Sequence, residues 1–399
     1  MNVKEVRVAM KGATGEQVTG AAEARRSGCA LLPVSDSLAR LRAEAQRFSR
    51  DPTVFSTLHA PPAAVFSRYA TGGLDAPIFH SNGNLRLRNL PANRSGRFAM
   101  TEIASGRAGD RWFQWLLRGR EGGDQTLRRR FLAEVLLPVR DQVLDRGRVE
   151  KGEVVLDVGA GDGLIAFGAL DRVGPTGHVI FSDVSPELLQ HCRSLAVELN
   201  LADRCSFVEC PAENLTGIGD TSVNVVTTRS VLIYVDNKRK ALDEFHRVLR
   251  PHGRISIYEP INSLTYPDPP NEWFGYDVSS VRDLAERVRN THVSLTGTLD
   301  AMLGFDERDL FSLAEQVGFV ELHLELRRRA ARLNVPRSWE SFSTSSPNPL
   351  SPTFGEVIDK ALSAEEARRF TAHLRPLVEE GRRIERVALA HLWAERSGA

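Results

Sequence analysis

The chain has 399 residues, 42% hydrophobic and 26% charged, with Lys+Arg 52 against Asp+Glu 51 and a formal net charge of +1. That length admits one large α/β domain with additions, or two domains, and the even charge gives no global pull toward nucleic acid or anionic membranes. No apolar run reaches the roughly 18 residues that a membrane-spanning helix needs. The N-terminus carries Lys4, Glu5, Arg7 and Lys11 without an apolar core, so it does not read as a secretory signal. Ser27-Gly28-Cys29 follows Glu23, Arg25 and Arg26, where a lipoprotein leader would need apolar residues. The four cysteines (Cys29, Cys192, Cys205 and Cys210) have no metal-site spacing and are too few for a disulfide scaffold. A reduced, cytoplasmic protein, monomeric or homodimeric and without a bound metal, is the expectation.

In chain order, residues 1–105 are rich in Ala, Arg, Ser and Gly, with turn signals such as Ala60-Pro61-Pro62 and Ser81-Asn82-Gly83-Asn84. One amphipathic helix fits Ser37 to Phe48, but little else here builds a core. The segment reads as a partly disordered extension, or as a lid. Residues 106–150 turn helical. Trp112, Phe113, Trp115, Leu116 and Leu117 cluster before Gly122-Gly123-Asp124, and a longer helix follows with Leu127, Phe131, Val135, Leu136 and Val143. These helices either pack on a sheet or roof a pocket.

From residue 151 to 329, strands and helices alternate in the manner of a doubly wound sheet. Val154 to Val158 is the first strand and His178 to Asp183 the second, followed by a helix from Pro186 to Asn200. Cys205 to Cys210 and Val223 to Thr228 are the third and fourth strands. Lys238 to Leu249 is a helix stopped by Pro251 and Gly253, and Arg254 to Glu259 is the fifth strand. Asp306 to Val317 is a helix with Asp306 as N-cap, and Val320 to Leu326 is the sixth strand. Residues 330–383 read as an insertion capping an acceptor pocket, with helices at Phe354 to Leu362 and at Ala364 to Glu380, the second capped by Ser363 with Glu366 three residues on. The final strand, Arg386 to Glu395 within 384–399, closes the sheet.

The chemistry gathers around Val154-Val155-Leu156-Asp157-Val158-Gly159-Ala160-Gly161-Asp162-Gly163. An apolar strand ends in a turn where every second residue is glycine, so the backbone can approach a ligand that the next helix meets with its N-terminal amides. A dinucleotide fingerprint, G-x-G-x-x-G, would need glycine at position 164, which is Leu164. The G-x-G-x-G spacing with Asp157 before it resembles motif I of the class I S-adenosylmethionine-dependent methyltransferases. Asp183, with Val184 after it, ends the next strand, where a carboxylate can take both ribose hydroxyls. It would otherwise cap the helix from Pro186, a task Ser185 can also perform.

The resemblance extends to Cys205-Ser-Phe-Val-Glu-Cys-Pro-Ala-Glu-Asn-Leu215, although Pro211 stands where the family has an acid, leaving the Ala212 backbone and Glu213 for the adenine. It also covers the fourth strand, whose end at Thr228, Arg229 and Ser230 would face the methyl group. The segment Lys240 to Pro260, with its Pro-x-Gly turn, follows the same pattern. Together these span about residues 125–330 and are similar to the group containing ubiquinone/menaquinone-biosynthesis and arsenite methyltransferases. The resemblance implies a Rossmann-like, doubly wound, seven-stranded α/β sheet with an antiparallel last strand. It further implies S-adenosyl-L-methionine as cofactor, held by Asp157, Gly159, Ala160, Gly161 and Gly163 at motif I, and methyl transfer to an O, N or C nucleophile of a small molecule or peptide.

Trp112, Trp115, Tyr234, Tyr258, Glu259, Asn262, Trp273 and Tyr276 are candidate walls of the acceptor pocket, and no catalytic base is assigned. Cys192 lies mid-helix and Cys205 and Cys210 flank the third strand, so their thiols are not expected to converge on a metalloid and arsenite is not the favoured acceptor. Arg229-Ser230-Val231 replaces the Asn-Pro-Pro-aromatic run of base-modifying relatives, so a nucleic-acid acceptor is disfavoured. The competing readings are a non-catalytic protein on the same fold and a nicotinamide-dependent oxidoreductase.

Overall fold

The computed structural model describes residues 110–296 and 300–398; the extension to residue 105 and the helix expected at Ser37 to Phe48 lie outside the described residues. Helix α1 (111–119) begins as an α-turn, Arg111–Gln114, and widens into a π-turn, Trp115–Gly119. Helix α2 (125–146) carries a second π-turn, Leu132–Leu136, between Gln125–Phe131 and Leu137–Arg146. Asp110 and Asp124 cap them, each carboxylate accepting from two first-turn amides that have no intrahelical partner.

There follow β1 (Val154–Val158), α3 (Leu164–Val173), β2 (His178–Asp183), α4 (Pro186–Glu198), β3 (Cys205–Glu209), β4 (Val223–Arg229), α5 (Lys238–Val248) and β5 (Leu249–Pro260). Next come α6 (Arg282–Thr296), α7 (Glu307–Val317), β6 (Phe319–Asn334), α8 (Phe354–Ala361), α9 (Ala364–Glu379) and β7 (Arg382–Arg396). The seven strands form one sheet in the order β3-β2-β1-β4-β5-β7-β6. Pairing is parallel from β3 to β5 and antiparallel where β7 meets β5 and β6. The α/β doubly wound sheet with an antiparallel last strand is the architecture that the family resemblance implies.

Parallel strands buried on both faces alternate apolar residues between two cores. Leu156, Val226, Leu242, Phe245 and Ile257 pack on the face that α5 and α7 cover, whereas Val155, Val225, Phe167, Leu170 and Phe181 pack on the α2–α4 face. Each such side chain, fully buried, contributes about 1.5–3 kcal/mol. A third aromatic core lies apart from the sheet. Trp273, Phe342, Phe354 and Phe370 join Leu284 and Val288 of α6 and Leu374 of α9.

Three element boundaries differ from expectation. β5 starts at Leu249, because its bulged first residues already pair with β4 at Val223. β6 continues past Leu326 to Asn334, where Arg327, Arg328 and Arg329 break the apolar alternation. The antiparallel ladder to β7 holds this stretch instead, down to the Asn334–Arg382 pair, with Arg329 paired to Glu385 across it. The insertion is therefore 335–381 rather than 330–383, and the last strand begins at Arg382 rather than 384.

Candidate active site

β1 and β4 are neighbours with their helices on opposite faces, so a crevice opens beyond their carboxyl ends, where doubly wound sheets bind ligands. A cavity of about 700 Å³ occupies that place. Its floor is the turn after β1. Gly159 and Gly161 have φ of 65° and 58°, left-handed values that suit glycine. A Cβ on Gly159 would stand 2.5 Å from Val231 Cγ2, so the turn also needs glycine for space.

Two carboxylates anchor the turn. Asp183 accepts from the Gly161 amide through Oδ2 at 2.8 Å and from the Ser185 amide through Oδ1 at 2.9 Å. Asp157 accepts from Thr227 Oγ1 at 2.8 Å and from the Ala166 amide of α3 at 3.1 Å, tying β1 to β4 and to the helix start. Burial raises both acids above the ordinary carboxylate range, Asp157 to about 7.

The turn after β4 forms a side wall through Arg229, Ser230, Val231, Ile233 and Tyr234. It is held from behind by Glu259, fully buried, which accepts the amides of Val231, Leu232 and Ile233 at 2.9, 3.1 and 3.3 Å. Burial raises this acid to about 7 as well, against the pull of those amides.

Helix α1 covers the turn. Leu116 lies against Gly161, Trp112 packs edge-on to Tyr234 at 4.8 Å, and the Trp115 indole donates to the Ser346 carbonyl at 3.0 Å. Asp110, which caps α1, accepts from the Ser185 hydroxyl beside Asp183. Ser185 also caps α4 by accepting from Leu188, so one hydroxyl joins lid, rim and helix. Ser185→Ala is expected to cost about 1 kcal/mol of stability as a lost cap and to speed cofactor release several-fold. Stopped-flow fluorescence of Trp112 and Trp115 measures the second effect.

Beyond Tyr234 the cavity continues into an aromatic and polar chamber. Asn262, Tyr266, Trp273 and Phe274 line it, with His292 and Val293 of α6, Asn348 of the insertion, and Ile384 and Val387 of β7. Arg120, half-buried, lies against the rings of Trp115 and Phe131, and desolvation followed by the nearby Arg229 lowers it to about 10.

Of the residues singled out in the sequence, Asp157, Gly159, Ala160, Gly161, Asp183, Val184, Ala212, Glu213, Arg229 and Ser230 meet around the cavity's first half, and Trp112, Trp115, Tyr234, Asn262 and Trp273 around its second. Five others stand elsewhere. Gly163 is the N-cap of α3, packed under Phe167. Thr228 is fully buried and turned toward Glu259. Glu259 lies behind the β4 turn rather than on the cavity. Tyr258 faces the α2–α4 core beside His391, because neighbouring strand residues point to opposite sides. Tyr276 is packed in the third core against Phe342. Arg120, His292 and Asn348 had no motif to mark them.

The raised acids make stability depend on pH. Asp157 and Glu259 hold protons in the folded state up to about pH 7, whereas their ordinary values are 3.8 and 4.5. Their contribution is full below about pH 4 and is lost as pH rises through about 7. Asp157→Asn/Glu259→Gln, which cannot titrate there, is expected to gain about 2 kcal/mol or more on wild type between pH 5 and 8. Urea unfolding at the two pH values checks it.

The sheet order and the glycine turn with an acid on either side define a Rossmann-like fold built to take a nucleoside cofactor. A family model described as a methyltransferase domain matches residues 149–298. The arsenite methyltransferase of Halobacterium salinarum is 38% identical over 117 residues, which are 29% of each chain. The match thus spans less than a third of that relative. A ubiquinone/menaquinone biosynthesis C-methyltransferase of Hahella chejuensis is 30% identical over 176 residues, covering 44% of this chain and 70% of that one. A solved structure titled a putative methyltransferase, from Bacillus halodurans, aligns over 65% of this chain and 98% of its own at 17% identity and a TM-score of 0.41. The chain belongs to the S-adenosylmethionine-dependent methyltransferase family.

The residues present fit that cofactor. Asp183 has two carboxylate oxygens with about four lone-pair sites, and the Gly161 and Ser185 amides use one on each oxygen. One site per oxygen is left for a ribose diol.

Proposed function

We propose that this chain methylates a carbon or oxygen atom of an apolar, ring-containing small molecule. The observation that carries the reading is a single cavity with two unlike halves: glycine turn and carboxylate on one side, aromatic chamber on the other. When bound, S-adenosylmethionine supplies a methyl group activated by its sulfonium. On this reading Asp183 holds the ribose, the Ala212 backbone and Glu213 meet the adenine, and the Gly159–Gly161 turn passes beside the methionine portion. Arg229, Ser230 and Tyr234 stand at the junction of the halves. Helix α1 closes the junction to water, and the protein's contribution is chiefly alignment and exclusion of solvent.

Carbon as the methylated atom is supported by the name of the ubiquinone/menaquinone relatives. An arsenite acceptor draws less support. Cys192 bonds to the Gly161 carbonyl and Cys205 to the Leu201 carbonyl, on different elements, and burial pushes the thiols of Cys192, Cys205 and Cys210 up. Among the described residues no group of three or more His, Cys, Asp or Glu converges as a metal site. These free thiols support a reducing compartment, and no helix among the described residues is long and apolar enough to cross a membrane.

The test is methyl transfer from radiolabelled S-adenosylmethionine to 1,4-naphthoquinol, with the product's methyl position read by NMR. A ring-carbon or aryl-ether methyl is expected. Label passing to arsenite and not to the quinol would overturn the assignment.

A further inference from the structure

One wall of the chamber is tied to the turn after β4 by a single ammonium group. The short helical turn Asp300–Leu303 follows α6, and its Met302 and Leu303 line the cavity beside Tyr234, Val235 and Asn262. Among the described residues, two side-chain hydrogen bonds reach the stretch 301–305 from outside it. Lys238 Nζ donates to the Ala301 carbonyl at 2.9 Å, and the Ser263 hydroxyl donates to the Phe305 carbonyl at 3.0 Å. Lys238 opens α5, and the same Nζ donates to the Val235 carbonyl at 2.9 Å, just beyond the turn after β4.

Packing does not call for a lysine at this place. Lys238 is 8% exposed, and its Nζ lies 4.4 Å from the centre of the Phe305 ring, which is itself buried in the core under α5. Its partners are two carbonyls and that ring, and among the described residues it makes no ion pair. Burying an ammonium without a counter-ion is costly, and an apolar side chain of similar volume would fill the space without that cost. What the ammonium adds is direction. Two charge-assisted hydrogen bonds hold a carbonyl of the chamber wall to a carbonyl of the turn. Lys238 does not itself line the cavity.

We propose that Lys238 is a positioning residue for the acceptor: it fixes Met302 and Leu303 against the turn after β4 and so sets the width of the chamber where the methyl group is delivered. Lys238 acts through those two side chains and touches neither cofactor nor acceptor. The ribose and adenine residues sit on β2 and after β3, away from the segment that Lys238 holds. Its loss therefore weakens the acceptor and spares the cofactor. This deepens the methyltransferase reading and rests on it.

The experiment titrates 2-naphthol, followed by its fluorescence, into the full chain saturated with S-adenosylhomocysteine. Lys238→Met is expected to weaken 2-naphthol at least about tenfold, since two hydrogen bonds from a charged donor are lost, and to change the affinity for S-adenosylhomocysteine less than about threefold. In a chain already carrying Met302→Ala and Leu303→Ala, the same change is expected to add less than about threefold, because the contacts it positions are gone. A merely structural lysine would give losses that add. Equal 2-naphthol affinity in wild type and Lys238→Met, additive losses, a parallel loss of S-adenosylhomocysteine, or no binding of 2-naphthol by wild type would each overturn the assignment. If Lys238→Met fails to fold, Lys238→Gln, which retains an N–H donor for the Val235 carbonyl, carries the same comparison. Failure of S-adenosylhomocysteine to bind wild type would instead bring down the methyltransferase reading, and this inference with it.

Discussion

Asp183→Ala is expected to raise the dissociation constant for S-adenosylhomocysteine at least about 100-fold. Hydrogen bonds to a charged acceptor are worth about 1.5–3 kcal/mol each, and two ribose hydroxyls would be lost together. The same change frees the Gly161 amide, 2.8 Å from Oδ2, and so loosens the turn that floors the cavity. Asp183→Asn keeps one acceptor and is expected to fall between the two. Calorimetry reads the affinities, and far-UV circular dichroism checks that the sheet survives. An alanine variant that binds as tightly as wild type would remove Asp183 from the site.

Glu259→Leu is expected to be the most destabilising single change near the cavity. Its carboxylate is the partner of three amides in one buried turn, and each donor left without an acceptor costs about 1–3 kcal/mol. Taken together, the three amides give a loss of about 3–9 kcal/mol. Because Val231 of that turn lies against Gly159, cofactor affinity is expected to fall with stability. Glu259→Gln, which retains an acceptor oxygen, is expected to recover much of both. Urea unfolding separates the two variants, and equal stability would show that the amides find other acceptors.

Glu259 also marks where sequence reading stops. The acid ends a strand near the expected pocket mouth, and the sequence does not say on which face its side chain emerges. Thr228 and Tyr258 went astray for the same reason, since a shift of one residue along a strand exchanges core and pocket. By contrast, Gly159, Gly161 and Asp183 were legible because the requirements they meet are local: a left-handed turn and an acid at a strand end. The doubly wound α/β class followed from the strand–helix alternation, whereas the antiparallel last strand came only with the family resemblance. The length of β6 did not, because Arg327–Arg329 are held by a ladder to β7 rather than by burial. His292 and Asn348 reach the chamber from α6 and the insertion only through the third core, a long-range packing that no local pattern records.

The central claim is that the Gly159–Gly161 turn and Asp183 bind S-adenosylmethionine. Titration calorimetry of the full chain with S-adenosylhomocysteine, and separately with NAD, tests it most directly. The structure predicts saturable one-to-one binding of S-adenosylhomocysteine, lost in Asp183→Ala, and no heat with NAD. Binding of NAD, or no heat with S-adenosylhomocysteine at millimolar concentration, would contradict it.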